Sequence, residues 1–438
     1  MSPASSLRRP ALYAGLAAAL LAAVVLYPTA ADNFVSTQSV AAGTDMKDVR
    51  TVTVGGVTVK RTQQYIDGVP VYGGELVTLG NTQPLGKVAK ASQGRFPATA
   101  KVTSGKQVWF DPSLFGKPGA AAVPAYQMET SEGTAIVDAA SGAVLLKAPK
   151  EKEAVNRAIC DLNNQTIQSE ADYACGGALE PVLTEEGGQG EADASAVFKF
   201  FGSTSEFYEK EAKFDLTQNI GANGALRGTV RICVPDSECP FANAFWDGTQ
   251  MAFGQGLSTI DITAHELTHG VTEHTSNLVY QGESGALNEA MSDIFGAFVN
   301  QANGATGASK WAIGEGSALG VIRDMANPPA HQQPDTYSKF VQTTGDNGGV
   351  HTNSGIANKL AFLVTDGENF GGQDIKGIGS AKAIQLFWLV ENTLTSSSDY
   401  KAFGQTVNAA CKQLAGSGTL TEEDCTQVAN ATKAVEIA

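Results

Sequence analysis

Two histidines with a glutamate beside the first form the pattern in this sequence that most directly indicates chemistry. The motif His-Glu-x-x-His lies at His265, Glu266 and His269. On a helix, residues i and i+4 lie on the same face, one turn apart. Two imidazoles placed in this way can share a tetrahedral metal ion, and Glu266 would then lie next to the activated water. The alternative is a helix face with two structural histidines.

A second segment supplies the third protein ligand that a catalytic zinc site requires. Apolar residues in 285–296 have helical spacing, and Glu289 can point from this helix toward the first. Asp293 follows one turn later, where it can accept a hydrogen bond from a ligand imidazole. Glu273 and Glu283 are rival ligands, which we expect to be solvated surface carboxylates.

A glycine-rich segment, residues 345–355, carries another histidine. Asp346 precedes His351 by five residues and could hold and charge its imidazole. A protonated His351 would stabilise an oxyanion. A single histidine in a loop is otherwise a surface residue, which is our interpretation of His274 and His331.

Charge divides the chain of 438 residues into two parts. Its net charge of −15 argues against nucleic-acid binding, which needs clustered Lys and Arg. Residues 1–154 carry +4 and have no His or Cys, whereas residues 155–438 carry −19 and hold all five histidines and six cysteines. Any histidine chemistry therefore belongs to the second part. The opposite charges lead us to expect that the first part lies against the second.

The N-terminus has the pattern of a secretory signal peptide. Arg8 and Arg9 precede an uncharged run whose most apolar stretch is shorter than a typical membrane span, and small residues at 29–31 offer a cleavage site. We predict a signal peptide over residues 1–31 and a secreted, extracellular protein. An uncleaved membrane anchor is the alternative.

The six cysteines fit an oxidising compartment. Sequence alone allows 15 connectivities, of which the closure of local loops is the simplest. The near-neighbour pairs are Cys160–Cys175, Cys233–Cys239 and Cys411–Cys425. None of them has the spacing of a cysteine zinc site.

Residues 32–154 form a separate unit without catalytic residue types. Alternating residues around Gly55-Gly56, Asp67-Gly68 and Gly142 predict three hairpins. We expect a β-rich unit with some helix, in two modules of about 32–95 and 96–154. It could be an adhesion or scaffold domain, or a pro-segment.

Together, these segments resemble the thermolysin-like zinc metallopeptidases over about residues 155–438. Five segments match in residue type, order and spacing: 243–248, 265–269, 285–296, 337–339 and 348–355. Residues 65–76 and the stretch near Asp138 resemble the prodomain of such enzymes. The resemblance implies an α+β fold: a propeptide (32–154), a β-rich N-lobe with the zinc helices (155–300) and a helical C-lobe (301–438). It also implies C-terminal helices, which the sequence places at 358–365, 381–395, 400–416 and 421–436.

The resemblance implies the catalytic roles of individual residues. The zinc ligands would be His265, His269 and Glu289. Glu266 would be the general base, taking a proton from water and delivering it to the leaving amine. The oxyanion would be bound by Tyr280 and His351, with Asp346 as the partner of His351. The zinc histidines would be held by Asp293 and Asn288.

Substrate contacts follow from the same resemblance. Asn243 and the backbone of Ala244 would hold the substrate as an added edge strand. Arg323 would bind the substrate backbone beside the primary pocket. The pocket would be lined by Ile262, Ile313 and Ile322. Such an apolar pocket implies cleavage on the amino side of large hydrophobic residues.

Calcium is where the sequence departs from the family. The resemblance implies a calcium cluster of carboxylates, for which Asp261 and Glu315 are present. The other aligned acidic positions are Asn300, Lys310 and Ala312. A lysine would repel the cation. We therefore expect an incomplete site that binds one weaker calcium ion or none.

The predicted function is a secreted zinc endopeptidase made as a zymogen, which hydrolyses polypeptides by zinc-activated water. Its partners would be its substrates and its own propeptide, as intramolecular chaperone and inhibitor, and the enzyme would be a monomer. The propeptide cut is expected near residues 150–158. Two alternatives are a catalytically inactive relative used as a binding module, against which Glu266 and His351 both argue, and a membrane-tethered protease with an uncleaved signal.

Overall fold

A computed structural model describes residues 43–97, 105–119, 121–130, 133–149, 157–177, 179–220, 225–235, 237 and 239–438. The predicted signal peptide lies outside these residues, as does most of the expected propeptide cut region. None of the described helices is long and apolar enough to cross a membrane.

The N-terminal part folds into one eight-stranded sheet. Its strands are β1 (Thr44–Val54), β2 (Val57–Ile66), β3 (Val69–Leu79), β4 (Leu85–Lys87), β5 (Lys106–Phe110), β6 (Val123–Thr130), β7 (Gly133–Asp138) and β8 (Val144–Pro149). The order is β1-β2-β3-β5-β6-β7-β8, with β4 paired to β3. Neighbours are antiparallel except β3 and β5, which are parallel. The two expected modules, β1–β4 and β5–β8, therefore share a sheet.

The three predicted hairpins are all present. Val54 pairs with Val57 around the Gly-Gly turn, and Ile66 pairs with Val69 around the Asp-Gly turn. Strands β7 and β8 pair antiparallel across residues 139–143. Turn residues that adopt positive φ at little cost explain why these hairpins could be located from sequence.

A second sheet forms the β-rich N-lobe. Its strands are β9 (Ala158–Asp161), β10 (Leu183–Thr184), β11 (Gly187–Gly188), β12 (Arg227–Val230), β13 (Ala244–Trp246) and β14 (Met251–Phe253). The order is β11-β10-β9-β12-β14-β13, which leaves β13 at the edge of the sheet. Two small hairpins follow in the C-lobe: β15 (Ala312–Ile313) with β16 (Arg323–Asp324), and β17 (Gly367–Phe370) with β18 (Gln373–Lys376).

Helices make up the centre and the C-lobe. They are α1 (Ala192–Phe207), α2 (Leu216–Asn219), α3 (Ile260–Glu273), α4 (Gly282–Ala302), α5 (Asp346–Asn353), α6 (Gly355–Thr365), α7 (Ser380–Thr393), α8 (Tyr400–Gly416) and α9 (Glu422–Ala434). A π-helical turn extends α1 at Tyr208–Ala212, and 3₁₀ segments lie at Pro112–Phe115, Glu170–Tyr173, Gly307–Lys310, Pro328–His331 and Tyr337–Lys339. The four predicted C-terminal helices correspond to α6–α9.

The α+β fold class and the bilobed catalytic domain are confirmed. Helices α3 and α4 are buried along most of their length. Their apolar residues, such as Leu267 and Phe295, share one core with Trp388 of α7. The pairs Cys160–Cys175, Cys233–Cys239 and Cys411–Cys425 form disulfides, which confirms the local loop closures.

Candidate active site

The two histidines of the His-Glu-x-x-His motif lie on α3. Thr259 precedes this helix in an extended conformation. Asp261 lies in the first turn, where a negative charge interacts favourably with the positive end of the helix dipole. His265 and His269 are each 5% exposed, and their ring centroids are 4.8 Å apart. The two imidazoles therefore project from one face into the same space.

Glu289 reaches that space from α4. Its Oε2 lies 3.4 Å from Nε2 of His265, and its Oε1 lies 3.5 Å from Nε2 of His269. Gly296 permits the close approach of the two helices, because a Cβ there would lie 2.9 Å from the backbone oxygen of Asp261. The structure thus brings together the three residues predicted to bind zinc.

The rival Glu283 has a different environment from the one expected. Its carboxylate accepts hydrogen bonds from the backbone N–H of Tyr400 at 2.9 Å and from the hydroxyl of Tyr337 at 3.2 Å. Burial raises the pKa of Glu283. The expectation of a solvated surface carboxylate was wrong here, because the helix start packs against the beginning of α8.

Both histidines predicted to bind zinc are held through Nδ1. His265 Nδ1 lies 2.8 Å from Oδ1 of Asp293, and His269 Nδ1 lies 2.7 Å from Oδ1 of Asn288. The amide of Asn288 donates to the carbonyl of Leu278, which fixes its orientation. An oxygen acceptor at Nδ1 keeps the proton there and leaves Nε2 free to bind a metal.

The donor set fits a zinc ion. Two imidazole nitrogens and one carboxylate are a ligand set of catalytic zinc sites. The nearest ligand atoms of His265, Glu266 and His269 all lie within 4.8 Å of one another. Oε2 of Glu289 is buried and has no hydrogen-bond partner, a costly state for a carboxylate oxygen that has no cation. His265, His269 and Glu289 would hold the metal, with Glu266 beside it.

Burial and the neighbouring charges shift the pKa values of the groups in this centre in opposite directions. Burial raises the pKa of Glu266 to about 7. Burial alone would also raise the pKa of Glu289, but the neighbouring imidazoles, His351 foremost, hold it well below its usual range. Burial lowers the pKa of His269 to about 4. Burial alone would lower the pKa of His265, but the charge of Asp293 raises it to about 10. The protein groups therefore favour the ionised form of Glu289 and the neutral form of His269, which are the forms that bind metals, whereas His265 has to release a proton when a metal binds.

Arg323 contacts the same network. Its guanidinium donates to both oxygens of Asp293, at 2.8 and 2.7 Å, and Asn358 donates to that carboxylate at 2.7 Å. Burial would raise the pKa of Asp293, but Arg323 and His265 lower it to about 2. Asp293 therefore stays ionised and connects His265 on α3 to Arg323 on β16.

Tyr280 and His351 face each other beside Glu289. The Tyr280 hydroxyl donates to Glu289 and lies 3.3 Å from Nε2 of His351. On the other side of the ring, Nδ1 of His351 lies 2.7 Å from Oδ1 of Asp346. The negative charge of Glu289 raises the pKa of His351, and Asp346 adds to the effect. The predicted pairing of Asp346 with His351 is present in the geometry.

The glycine-rich segment makes the turn that places His351. Residues Asp346 to Gly349 all have positive φ, so the first half of α5 is a left-handed turn rather than a regular helix. A Cβ on Gly348 would lie 2.9 Å from Cα of Gly282 at the start of α4. Glycine is needed here both for the backbone angle and for the close approach.

A cavity of about 320 Å³ opens beside these groups and is lined from both lobes. Its lining residues are Asn243, Ala244, Phe245, Trp246, Leu257, Ile262, His265, Glu266, His269, Tyr280, Glu289, Leu319, Ile322, Arg323 and His351. Strand β13 is the edge strand of its sheet and runs along this cavity, so its free side can pair with an extended peptide. The residues predicted to contact substrate lie here, with one exception.

Ile313 is that exception. It is fully buried, pairs with Arg323 across the β15–β16 hairpin and does not line the cavity. Its predicted place at the pocket wall stays a prediction. Leu319, at the tip of the same hairpin, and Leu257 also line the cavity. Leu319 is 46% exposed, and the neighbouring Ala318 N–H donates to the carbonyl of Gly256. No sequence signal indicated these two leucines, because tertiary contacts place them.

The residues aligned with the calcium cluster do not fit a calcium site. Nζ of Lys310 lies 2.6 Å from the carboxylate of Asp366, so the ammonium group of Lys310 already supplies a positive charge at one of the aligned positions. The Asp261 carboxylate accepts a hydrogen bond from the backbone of Gly314, and burial raises the pKa of Asp261. Glu315 is exposed. The contacts of Lys310 and Asp261 therefore argue against a complete calcium cluster at this position.

Comparison with known proteins gives two family matches. The model described as thermolysin metallopeptidase, catalytic domain, matches residues 126–273, and the model described as thermolysin metallopeptidase, alpha-helical domain, matches residues 276–437. The first match begins within the predicted propeptide. The two matches meet between α3 and α4, where the motif helix ends.

Among sequence relatives, a zinc metalloproteinase of Renibacterium salmoninarum is 42% identical over 446 aligned positions, which cover 86% of this chain and 81% of that protein. A thermolysin of Alicyclobacillus acidocaldarius is 43% identical over 209 positions, which cover 44% of this chain and 36% of that protein. The solved precursor of protealysin, a metalloproteinase from Serratia proteamaculans, is 28% identical with a TM-score of 0.51. It covers 67% of this chain and 90% of its own.

Proposed function

This chain belongs to the thermolysin family of zinc metallopeptidases, and we propose that it is a secreted zymogen whose mature form cleaves peptide bonds on the amino side of large hydrophobic residues. The observation that carries the proposal is the convergence of His265, His269 and Glu289 with Glu266 in one cavity beside an edge strand. A zinc metalloendopeptidase needs these four groups and a place for an extended substrate.

Glu266 is the proposed general base. Zinc, when bound, supplies Lewis-acid polarisation of the scissile carbonyl and of the attacking water. Glu266 follows His265 directly and lines the cavity, so its carboxylate is placed to take the proton from that water. The same carboxyl group then delivers the proton to the leaving amine.

Tyr280 and His351 are the proposed oxyanion donors. Their Oη and Nε2 atoms are 3.3 Å apart and both side chains line the cavity, so both can donate to one substrate oxygen. Asp346 binds Nδ1 of His351 and favours the charged imidazole, which can donate from Nε2. Such donors stabilise the negative charge that develops during acyl transfer.

Strand β13 and the apolar end of the cavity are the proposed substrate site. The backbone at Ala244 would pair with an extended peptide, and Asn243 would add a side-chain contact. Ile262, Ile322 and Leu257 would bind a large apolar side chain, and Arg323 would contact the substrate backbone. This arrangement supports a hydrophobic preference on the carboxyl side of the cleaved bond.

The propeptide is proposed to assist folding. Val59 and Leu79 of the first sheet share one hydrophobic core with Leu414 of the helical lobe. The cavity lining contains no described residue from the first sheet, so this contact supports a chaperone role more strongly than direct masking of the cleft. The signal peptide (1–31), the propeptide bounds (32–154), the lobe boundary at residue 300 and a monomeric mature enzyme remain predictions.

Glu266→Gln tests the proposed function, with Glu273→Gln on the same helix as its matched control. Both variants are expected to bind one zinc ion per chain. Glu266→Gln is expected to lower kcat for peptide hydrolysis by about 10²–10⁴-fold, whereas Glu273→Gln stays near wild type. A Glu266→Gln enzyme that retains wild-type activity with full zinc would overturn the assignment.

A further inference from the structure

Arg61 is buried at a position where its strand otherwise carries apolar residues. On β2, Val57, Val59 and Arg61 share the inward face, whereas Thr58 and Lys60 are exposed. Arg61 is only 6% exposed. Burial of a guanidinium is costly unless its charge and its N–H groups find partners.

The partners of Arg61 lie mostly across the interface, on the helical lobe. Its Nη2 donates to the carbonyl of Leu394 at 2.6 Å and lies 3.4 Å from the carbonyl of Asn392. Its Nη1 donates to Glu75 on the neighbouring strand at 2.9 Å. The two carbonyls lie at the carboxyl end of α7. There the backbone oxygens have no hydrogen-bond donors within the helix, and they form the negative end of the helix dipole.

A buried carboxylate reinforces the negative charge at this helix end. Glu391 lies in the last turn of α7 and is fully buried. Its Oε1 accepts hydrogen bonds from Thr275 at 2.7 Å and from Ser276 at 2.9 Å, just beyond the end of α3. Arg50 and Arg61 of the first sheet act electrostatically on it. The first sheet thus brings two cations to an acidic helix end.

Further contacts continue along the same surface. Nζ of Lys87 lies 2.9 Å from the carboxylate of Asp399 and donates to the carbonyl of Ser397. The hydroxyl of Thr419 donates to the carbonyl of Gly55 in the first turn of the sheet. Arg61 and Lys87 thus place cations of the propeptide against acceptors of the enzyme, as the charge difference between the two parts predicts. The bond from Thr419 is uncharged and runs in the other direction.

We propose that the carboxyl end of α7 together with residues 394–399 is the docking site that retains residues 44–87 of the propeptide after the chain is cut, and that Arg61 is its anchor. The proposal rests on the proposed zymogen function for the existence of the cut. The occupant is the propeptide of the same chain. Arg61 is a positioning residue, since it contacts neither the metal centre nor the cavity.

The test uses the full chain with Glu266→Gln, nicked by a trace of trypsin at Lys150 or Lys152 and verified by mass spectrometry. Trypsin makes the nick independent of the activity of the enzyme itself. Arg61→Met removes the anchor, and Lys60→Met is the matched control. Lys60 is the neighbour on the same strand, where it pairs with Asp48 on the exposed face. Size-exclusion chromatography then measures the propeptide that stays with the enzyme.

Arg61→Met is expected to increase the dissociation constant of the nicked propeptide at least tenfold, whereas Lys60→Met stays within twofold of wild type. Equal retention in both variants would overturn the proposal.

Arg61→Lys covers the case in which Arg61→Met does not fold. A single ammonium cannot replace both bonds of the guanidinium, so Arg61→Lys is expected to release the propeptide several times more readily than wild type, and unchanged retention would again overturn it. Failure of the proposed function would appear separately, as a mature wild-type enzyme without zinc-dependent hydrolysis.

Discussion

Oδ1 of Asp293 lies 2.8 Å from Nδ1 of His265. The same carboxylate accepts two hydrogen bonds from Arg323. Helices α3 and α4 and strand β16 therefore meet at one buried negative charge. A ligand imidazole held in this way has one tautomer and one orientation. The first prediction follows from that contact.

Asp293→Asn should weaken zinc binding about 10–100-fold and lower kcat/KM by a similar factor, because His265 loses its charged acceptor and Arg323 loses its partner. Zinc affinity can be measured by competition with a chromophoric chelator. Asp374→Asn, on the exposed β17–β18 hairpin, is the control and should change neither quantity. An unchanged zinc affinity in Asp293→Asn would contradict the role given to this carboxylate.

Tyr280→Phe should lower kcat by about 10²–10³-fold, because it removes one of the two donors proposed for the oxyanion. KM and zinc content should change little, since the contribution belongs to the transition state. Steady-state kinetics with a short peptide substrate separates the two parameters. A variant with a raised KM and an unchanged kcat would place Tyr280 in substrate binding instead.

Leu319→Ala should reduce the preference for Phe or Leu over Ala after the cleaved bond by about tenfold, because the outer wall of the apolar cavity is lost. Leu319 is 46% exposed, so the substitution should cost little stability. Val341→Ala is the matched control, since Val341 is 41% exposed and does not line the cavity. The ratio of kcat/KM for two peptides gives the answer, and an unchanged ratio would exclude Leu319 from the pocket.

Glu391→Gln should alter how the stability of the precursor depends on pH. Burial raises the pKa of Glu391 above its ordinary value of 4.5, and the hydrogen bonds from Thr275 and Ser276 and the charge of Arg61 offset this only in part. A folded pKa above the unfolded one means that its stabilising contribution is complete below the unfolded pKa and is lost as pH rises through the folded pKa. Glutamine does not titrate.

Relative to wild type, the Glu391→Gln precursor should therefore be more stable at pH 8 than at pH 4. Its free energy of unfolding minus that of wild type should thus be larger at pH 8. Urea unfolding of the two precursors across this range measures the difference. Glu315→Gln, at an exposed position, is the matched control for the loss of a carboxyl group. A difference between Glu391→Gln and wild type that is the same at every pH would show that the carboxyl group does not titrate with folding.

The metal centre could be located from sequence because its geometry is mostly local. His265 and His269 are fixed relative to each other by one helical turn, and Asp293 is fixed to Glu289 in the same way. Only the crossing of α3 and α4 had to be supplied by the resemblance. The hairpins of the first sheet were equally accessible, because their turn residues and alternating strands are local signals.

Other features depend on contacts between distant residues. Leu319 reaches the cavity through a hairpin whose Ala318 N–H donates to the carbonyl of Gly256, a contact that no local sequence pattern indicates. Arg61 appears in the sequence as one more polar residue in a strand. Its burial against the carbonyl of Leu394 joins positions 333 residues apart, and neither periodicity nor composition indicates such a pair.

The central claim is that the mature enzyme is a zinc-dependent endopeptidase with an apolar specificity pocket. The most direct measurement is incubation of the mature enzyme with a denatured protein mixture, with and without a zinc chelator, followed by sequencing of the new N-termini. We expect new N-termini that begin mainly with Leu, Phe, Ile or Val, that disappear with chelator and that return when zinc is restored. Cleavage that persists in chelator, or no cleavage at all, would contradict the account.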